Sequence, residues 1–320
     1  MRVLAIDVGT GTQDVLLFDS DLELENCPQF VAPSPTQLVA QQVRAATKAG
    51  KAIRLGGVTM GGGPCSWAIG DHLRAGLSVY ATADAARTLD DDLERVAALG
   101  IAIVDDADLV PAATPIQMRD LDVDAVRSAL TVLGVDPKFD VLAVAVFDHG
   151  AAPPGVSDRA FRFEYIAEIA RQNDLTAFAY PSTDVPERLT RMLAVARCAP
   201  ANVPTVIMDT GPAAAIGALE DDTLANAGDV LIVNLGNFHT LAFHVVSGRV
   251  VGLFEHHTGE LTVDQLERYL EQLAAGTIRN AEVFASMGHG SLVTQQSDGV
   301  PELLGVIGPR RSVLAGSRLR

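Results

Sequence analysis

The chain has 320 residues, 48% hydrophobic and only 20% charged, which is ample material for a large core and excludes a disordered chain. Twenty-four basic side chains against 40 acidic ones leave a net charge of −16. That balance excludes broad nucleic-acid binding, because a phosphate backbone is held by clustered Lys and Arg.

Short β-branched runs alternate with longer amphipathic stretches along the chain, the pattern of an α/β protein. Strands are predicted over 3–8 and 15–19, joined by the polar turn of VLAIDVGTGTQDVLLFD. The opening MRVLAIDVG carries an aspartate inside its apolar stretch, unlike a secretory leader. A helix over 36–49 leads to a strand over 53–58, then Gly61-Gly62-Gly63 and a helix over 64–75. Helices over 90–99 and 123–133 precede an apolar strand over 141–147, which ends in Asp148-His149-Gly150. Helices over 159–172 and 185–197, a strand over 203–208 and a helix over 212–219 follow. VLIVNLGNFHTLAFHVVSGRVVGLF then supplies strands over 230–235, 239–245 and 250–254. The helix over 262–273 opens with a capping box, Thr262 answered by Gln265. A last strand over 303–307 runs into Gly308-Pro309. No apolar run approaches the roughly 18 residues of a membrane-spanning helix, so a cytoplasmic protein without a membrane partner is expected.

Two segments read as strand-turn-strand on a shared plan: an apolar strand, Asp7 or Asn234, an apolar residue, Gly9 or Gly236, a polar turn and a second strand. Two related lobes would produce this, as would two unrelated hairpins in a large α/β protein. Gly9 and Gly11 let the backbone turn sharply and present N–H groups to an anion. Thr10 and Thr12 add hydroxyl donors, and Asp7 can hold a divalent ion through water. Lysine occurs only at Lys48, Lys51 and Lys138, and no GxxxxGK[ST] run exists, so a nucleotide site here must work without a P-loop lysine.

Further candidates are less specific. Gly61-Gly62-Gly63 before a helix is an anion site or a plain turn. Asp148-His149 at a strand end is a general-base position or a turn with a capping aspartate. Arg159 and Arg162, three apart, face an anionic substrate or solvent. His256, His257 and Glu260 form an HxxE run with no identifiable third ligand, so a surface or lobe-closing role is expected there. His289 lies in a glycine turn, and His72 and Trp67 read as structural.

The order of motifs adds to this. VLAIDVGTGTQDVLLFD resembles the first phosphate motif of the actin-like ATPase superfamily, which includes sugar kinases and actin. MDTGPAAAIGALEDD resembles its connecting helix, with Ala213, Ala214, Ala215 and Gly217 small enough for close packing; VLIVNLGNFHTLAFHV resembles the second phosphate motif, and LLGVIGPRRSVLAG the adenosine motif. The resemblance implies a two-lobed α/β fold, actin-like ATPase or ribonuclease H-like, with a duplicated strand-turn-strand phosphate motif. Its lobes would be 1–203 and 204–320, with ATP and Mg²⁺ in the cleft between them. Gly9, Thr10, Gly11, Thr12, Asn234, Gly236, Asn237, Gly308 and Pro309 would bind nucleotide, Asp7 would position the metal, and Asp148 or Asp209 would activate an acceptor. The expected activity is an ATP-dependent phosphotransferase or ATPase acting on an unidentified small molecule. The alternative is a sensing module with little or no turnover. It is motivated by Asn234, which brings no charge where relatives have an aspartate, and by Phe238 and His239, where relatives have glycines. The final helix after Gly308 is expected to be short or absent.

Within the superfamily, VTMGGGPCSWAIGDHLRAG, the DHG after an apolar strand and GPRRS resemble a family labelled "putative pyruvate formate-lyase activating enzyme". Such an activase holds its iron–sulfur cluster through a CxxxCxxC run. Cys27, Cys65 and Cys198 are too dispersed to supply one, so radical chemistry and an iron–sulfur cluster are not expected.

Overall fold

Along β1 (Arg2–Val8), Leu4, Ile6 and Val8 are buried while the residues between them are only half-buried, so one face of the strand is committed to a core. β1 pairs antiparallel with β2 (Thr12–Asp19), and β2 pairs antiparallel with β3 (Gln29–Pro33). The other edge of β1 pairs in parallel with β8 (Val141–Val146). The computed structural model describes residues 1–106, 110–172, 174–296 and 301–319. The chain divides into two compact units, Met1–Ala151 with Tyr180–Ile207, and Ala152–Ala179 with Met208–Arg320. Residues 152–179, placed in the first lobe by the sequence reading, thus belong by their contacts to the second unit.

In the first unit the sheet that contains β1 has the order β3-β2-β1-β8-β10-β9, where β9 is Ala179–Pro181 and β10 is Thr205–Met208. A second sheet, β6-β5-β4-β7, is parallel throughout and consists of β4 (Ile53–Gly57), β5 (Val79–Thr82), β6 (Ile101–Val104) and β7 (Thr114–Met118). The helices of this unit are α1 (Pro35–Lys48), α2 (Pro64–Arg74), the short α3 (Ala83–Ala86) and α4 (Leu93–Ala98), α5 (Val123–Val132) and α7 (Thr190–Cys198). Val39 and Val43 of α1, Ala68 and Ile69 of α2, and Ile53 and Leu55 of β4 share one apolar core. Strands β5, β6 and β7 escape sequence detection because runs of four or five residues such as VYAT carry too little period to separate strand from helix. The helix predicted over 90–99 is trimmed to α4 because the Asp92 carboxylate accepts the Glu94 N–H at 2.9 Å and caps it there.

The second unit is built on the sheet β14-β13-β12-β11-β15, with β11 (Asp229–Leu235), β12 (His239–Val246), β13 (Arg249–His257), β14 (Gly290–Val293) and β15 (Leu303–Ile307). β11–β12, β12–β13 and β13–β14 are antiparallel, and β11–β15 is parallel. The run β13-β12-β11-β15 therefore has the same sequence of pairings as β3-β2-β1-β8: antiparallel, antiparallel, parallel. The helices here are α6 (Asp158–Ala170), α8 (Thr210–Leu219), α9 (Asp222–Asn226), α10 (Val263–Ala274) and α11 (Asn280–Ala285). α10 opens on the capping box of Thr262 and Gln265, and its Leu266, Tyr269, Leu270 and Leu273 bury against Leu231, Val233 and Phe254. Among the described residues, no helix is long and apolar enough to cross a membrane.

Candidate functional site

The first hairpin closes through the Gly9 N–H, which donates to the Thr12 carbonyl at 3.0 Å. A Cβ on Gly9 would stand 2.8 Å from that oxygen, so the closure requires glycine. Ser34, just before α1, ties down the tip: its hydroxyl donates to the Thr10 carbonyl at 2.7 Å and its N–H to the Gly11 carbonyl at 3.2 Å. Asp7 is half-buried near the end of β1, opposite Asp14 of β2 and Ala145 of β8.

The glycine loop 61–63 lies beside this hairpin. The Thr36 hydroxyl donates to the Gly62 carbonyl at 2.5 Å and accepts the Cys65 N–H at 3.1 Å, and a Cβ on Gly63 would stand 3.4 Å from the Thr10 methyl. The expected anion, however, has an internal substitute. The Gly61 N–H points at both Asp120 carboxylate oxygens, at 3.0 and 3.2 Å, and Asp120 is in turn paired with Arg191 at 2.7 Å. Burial alone would lower the Arg191 pKa, but the Asp120 charge outweighs it and the net shift is upward. Arg191 also donates to the Phe147 carbonyl at 2.6 Å. Next to it, Asp148 is 2% exposed and accepts the Gly150 N–H at 2.7 Å and the Met192 N–H of α7 at 2.8 Å. The expectation that Asp148 activates an acceptor is corrected: it is a turn and helix cap. His149 is exposed, with its ring edge against Phe147 at 4.8 Å.

The second hairpin closes in the same way. The Gly236 N–H donates to the His239 carbonyl at 2.9 Å, and a Cβ on Gly236 would stand 2.7 Å from that oxygen. Here Thr258 ties down the tip, its N–H donating to the Phe238 carbonyl at 2.7 Å and its hydroxyl to the Gly236 carbonyl at 2.9 Å. The turn after β15 folds over the end of β11. Gly308 has φ 94°, a Cβ there would stand 2.5 Å from both Asn234 Oδ1 and the Leu235 carbonyl, and the Arg310 N–H donates to that carbonyl at 2.9 Å. Asn234, Gly236, Asn237, Gly308 and Pro309 are therefore gathered at one end of one sheet. Beyond Pro309 the chain makes a single 3-10 turn over Arg311–Leu314 instead of an α-helix.

Asp209 caps α8 by accepting the Gly211 N–H at 3.1 Å, and its carboxylate is paired with Arg162 at 2.7 Å. Arg162 also pairs with Glu255 at 2.8 Å, and Glu255 lies 2.8 Å from His289 Nδ1. All of these side chains are at most 1% exposed. Burial would raise the Glu255 pKa, but the charge of Arg162 and the contact with His289 outweigh it and hold the carboxyl well below its usual range. Asp209 is thus committed to an internal ion pair, and Arg162 faces neither substrate nor solvent. Arg159 is likewise committed, donating to the carbonyls of Phe284 at 3.1 Å and Gly288 at 2.5 Å. The close approach expected of α8 occurs at Gly211, where a Cβ would overlap Leu241, whereas Gly217 is exposed with open space around it.

His257 gains partners that the sequence does not reveal. His239 at the start of β12 and His257 at the end of β13 are cross-strand neighbours, and His289 immediately precedes β14. One ring nitrogen from each of the three lies within 4.8 Å of the others. His256 points elsewhere, its Nε2 3.1 Å from the Ser286 hydroxyl, and Glu260 is exposed, so the HxxE run is not a unit. A cavity of about 390 Å³ in this unit is lined by Phe163, Arg171, Asn280, Phe284, His289 and Ser291.

The three thiols do not fit an iron–sulfur cluster. Cys27 Sγ accepts the Asp19 N–H beside β2, Cys65 Sγ donates to the Gly61 carbonyl from α2, and Cys198 ends α7. Among the described residues, the one metal-capable group of three or more side chains contains no cysteine.

The chain belongs to the family described as "Putative pyruvate format-lyase activating enzyme (DUF1786)", which matches residues 60–313. No curated protein matches it. Among solved structures it is similar to the ROK hexokinase from Thermus thermophilus at 11% identity and TM-score 0.28, over 78% of this chain and 48% of that one. It is also similar to the ethanolamine utilization protein EutJ from Carboxydothermus hydrogenoformans at 12% identity and TM-score 0.27, over 90% and 66% of the two chains. The PPX-GPPA enzyme of Aquifex aeolicus gives 11% identity and TM-score 0.26, over 96% and 68%. The chain spans about half the length of the hexokinase. Likeness at these scores carries no argument about fold or activity.

Proposed function

We propose that this member of the family is a nucleotide-binding protein of the actin-like ATPase fold, an ATP-dependent phosphotransferase or ATPase that uses Mg²⁺. The observation that supports it best is the repeated hairpin. In two sheets with the same run of pairings, a glycine N–H closes onto the carbonyl three residues on, and in each case a Cβ would meet that carbonyl. A backbone turn of this kind presents N–H groups to an anion without needing lysine. In the first unit, Gly9, Thr10, Gly11 and Thr12 are assigned to phosphate, with Asp7 beside them. In the second, Gly236 and Asn237 are assigned to phosphate, and Gly308 and Pro309 to the adenosine.

Asp7 fits a Mg²⁺ ion held through water, being a half-buried carboxylate near a strand end, next to a glycine turn. Bound Mg²⁺ supplies charge neutralisation at the transferring phosphoryl group. The protein's own contribution is positioning, through a hairpin whose tip carbonyls are already tied to Ser34 and which needs little reorganisation when an anion arrives. Asp148 and Asp209 are left out of the chemistry because both hold internal partners.

A second reading, binding with little turnover, is favoured by Asn234, the uncharged counterpart of Asp7 in the second hairpin. Calorimetry with ATP, with and without Mg²⁺, followed by phosphate release across a panel of small-molecule acceptors, separates the two. Mg²⁺-dependent binding that is lost in Asp7→Ala, together with turnover, supports the enzyme. Binding without turnover, with hydrolysis appearing in Asn234→Asp, supports the sensing module. No nucleotide binding at all overturns both.

A further inference from the structure

His239, His257 and His289 come from two strand ends and a glycine turn, yet their imidazoles converge at one end of the second unit's sheet, with ring centroids 4.7–5.1 Å apart. The closest approach is between His257 Nε2 and His289 Nε2, at 3.2 Å. The far side of each of these two rings faces an acceptor: His257 Nδ1 lies 2.9 Å from the Met287 carbonyl, and His289 Nδ1 lies 2.8 Å from a Glu255 carboxylate oxygen. A carbonyl can only accept, so His257 Nδ1 carries the proton and its Nε2 a lone pair, and a proton on His289 Nδ1, toward the carboxylate, leaves its Nε2 with a lone pair as well. In that tautomer two lone pairs face one another across 3.2 Å. That arrangement calls for a cation between them, either a metal ion or a proton that turns one ring into imidazolium.

Three features separate the metal from the proton. A third histidine, His239, brings its own ring nitrogen within 4.8 Å of the other two, which a shared proton does not require. Metal–nitrogen bonds of about 2.0–2.1 Å in tetrahedral geometry put ligand nitrogens roughly 3.3 Å apart, close to the spacing of the nearest pair. The outer partners also match what metal-bound histidines use to fix their tautomer, a carboxylate for one ring and a backbone carbonyl for another. Both partners are held in place. Glu255 is pinned by Arg162, and Met287 offers its carbonyl from φ 73°, a left-handed conformation that normally falls to glycine.

We propose that His239, His257 and His289 form a binding site for a borderline divalent transition metal, of which Zn²⁺ is the type, with at least one coordination position left open for water or an anionic oxygen. His289 is buried, and His239 and His257 are half-buried. Three neutral nitrogen donors suit Zn²⁺ and its neighbours and do not suit Mg²⁺, which takes oxygen. The second hairpin, whose Asn234 offers no charge, carries His239 as its closing residue. It thus has a nitrogen donor in place of the carboxylate that the first hairpin offers. The site does not depend on the nucleotide reading, and either can fail without the other.

The experiment uses the full chain, freed of metal with a chelator. Zn²⁺ is added by calorimetry, and Co²⁺ in parallel by visible absorption, because cobalt shows d–d bands whose intensity reports low coordination number. One equivalent per chain is expected, with intense cobalt bands and a rise in melting temperature on adding Zn²⁺. His257→Gln and His239→Gln, both at half-buried positions that spare the buried Glu255 network, should weaken Zn²⁺ at least 100-fold and abolish the cobalt bands. Each variant's circular dichroism and metal-free melting temperature are measured first. His149→Gln, an exposed histidine of the first unit, should leave binding unchanged. The proposal is overturned if the wild type takes up no stoichiometric Zn²⁺, if folded His257→Gln and His239→Gln bind as the wild type does, or if millimolar Mg²⁺ displaces the Zn²⁺. Absence of metal binding with one imidazolium seen by nitrogen NMR would assign the 3.2 Å contact to a proton instead.

Discussion

Arg162→Met removes the cation from a buried three-charge arrangement while keeping an unbranched apolar side chain of similar length. In the wild type the guanidinium reaches both oxygens of Asp209, at 2.7 and 3.2 Å, and both oxygens of Glu255, at 2.9 and 2.8 Å. Neither carboxylate is more than 1% exposed, so the variant leaves two anions without their common partner or water. Breaking a buried pair by deleting one member costs about 3–5 kcal/mol, most of it the desolvated charge left behind. The upper end is expected because two carboxylates lose one arginine. The pH dependence gives a second signature. In the wild type the Glu255 pKa is depressed, so its contribution is fully present above the unfolded value of about 4.3 and is lost as pH falls through the lower folded value. In Arg162→Met burial of Glu255 is no longer opposed by the guanidinium, its carboxyl rises and takes up a proton more readily, and the deficit should be smaller at pH 5 than at pH 8. Urea unfolding followed by far-ultraviolet circular dichroism at both values measures this. Adding Glu255→Gln to Arg162→Met should recover part of the loss by removing one of the stranded charges. A loss below about 1 kcal/mol, the size of an exposed ion pair, or a deficit that grows at pH 5, would refute the reasoning.

Gly9→Ala and Gly236→Ala should each distort their hairpin, because the new methyl carbon would stand 2.8 Å from the Thr12 carbonyl and 2.7 Å from the His239 carbonyl. At least a tenfold loss of ATP affinity by calorimetry is expected for Gly9→Ala. Gly217→Ala, with nothing within 4 Å of the added carbon, should instead stabilise the fold by up to about 1 kcal/mol in a melt. Gly211→Ala overlaps Leu241 and should cost about 1–3 kcal/mol, and combining it with Leu241→Ala should cost less than the sum of the two single changes. Cys65 is buried, and burial drives its thiol pKa up, so under native conditions it should react with a thiol reagent only as fast as the unit opens. The half-buried Cys198 should be labelled first, and equal rates at all three cysteines would contradict this burial pattern.

The features legible in the sequence are those set by neighbours along the chain. The strand at Leu4, Ile6 and Val8, the capping box of Thr262 and Gln265, and the glycines that close both hairpins each depend on residues within a few positions. Period and turn chemistry act at that range, so reading them needs no tertiary information. The roles of the strand-end acids were legible only in part. Asp148 and Asp209 look alike in sequence, and what separates them is which donors face them in the fold. Backbone N–H groups meet Asp148, and a buried guanidinium meets Asp209. The acidic balance of the chain likewise says nothing of Arg162, buried against Asp209 and Glu255, or of Arg191, half-buried against Asp120, all partners from distant segments.

What the tertiary structure alone decided is the company of His257. The sequence offers it His256 and Glu260, but successive strand residues point to opposite faces, and Glu260 lies beyond the strand. Its ring instead meets His239, because β12 and β13 pair in a register that sets residue 239 against 257, and His289, because the turn before β14 returns to the same sheet end. Register is fixed by burying one whole face of each strand, a cooperative choice made over the sheet and not by any short run of residues. The amino-acid sequence specifies where the strands and their glycine turns fall. Long-range burial decides which strand ends, and therefore which three histidines, meet.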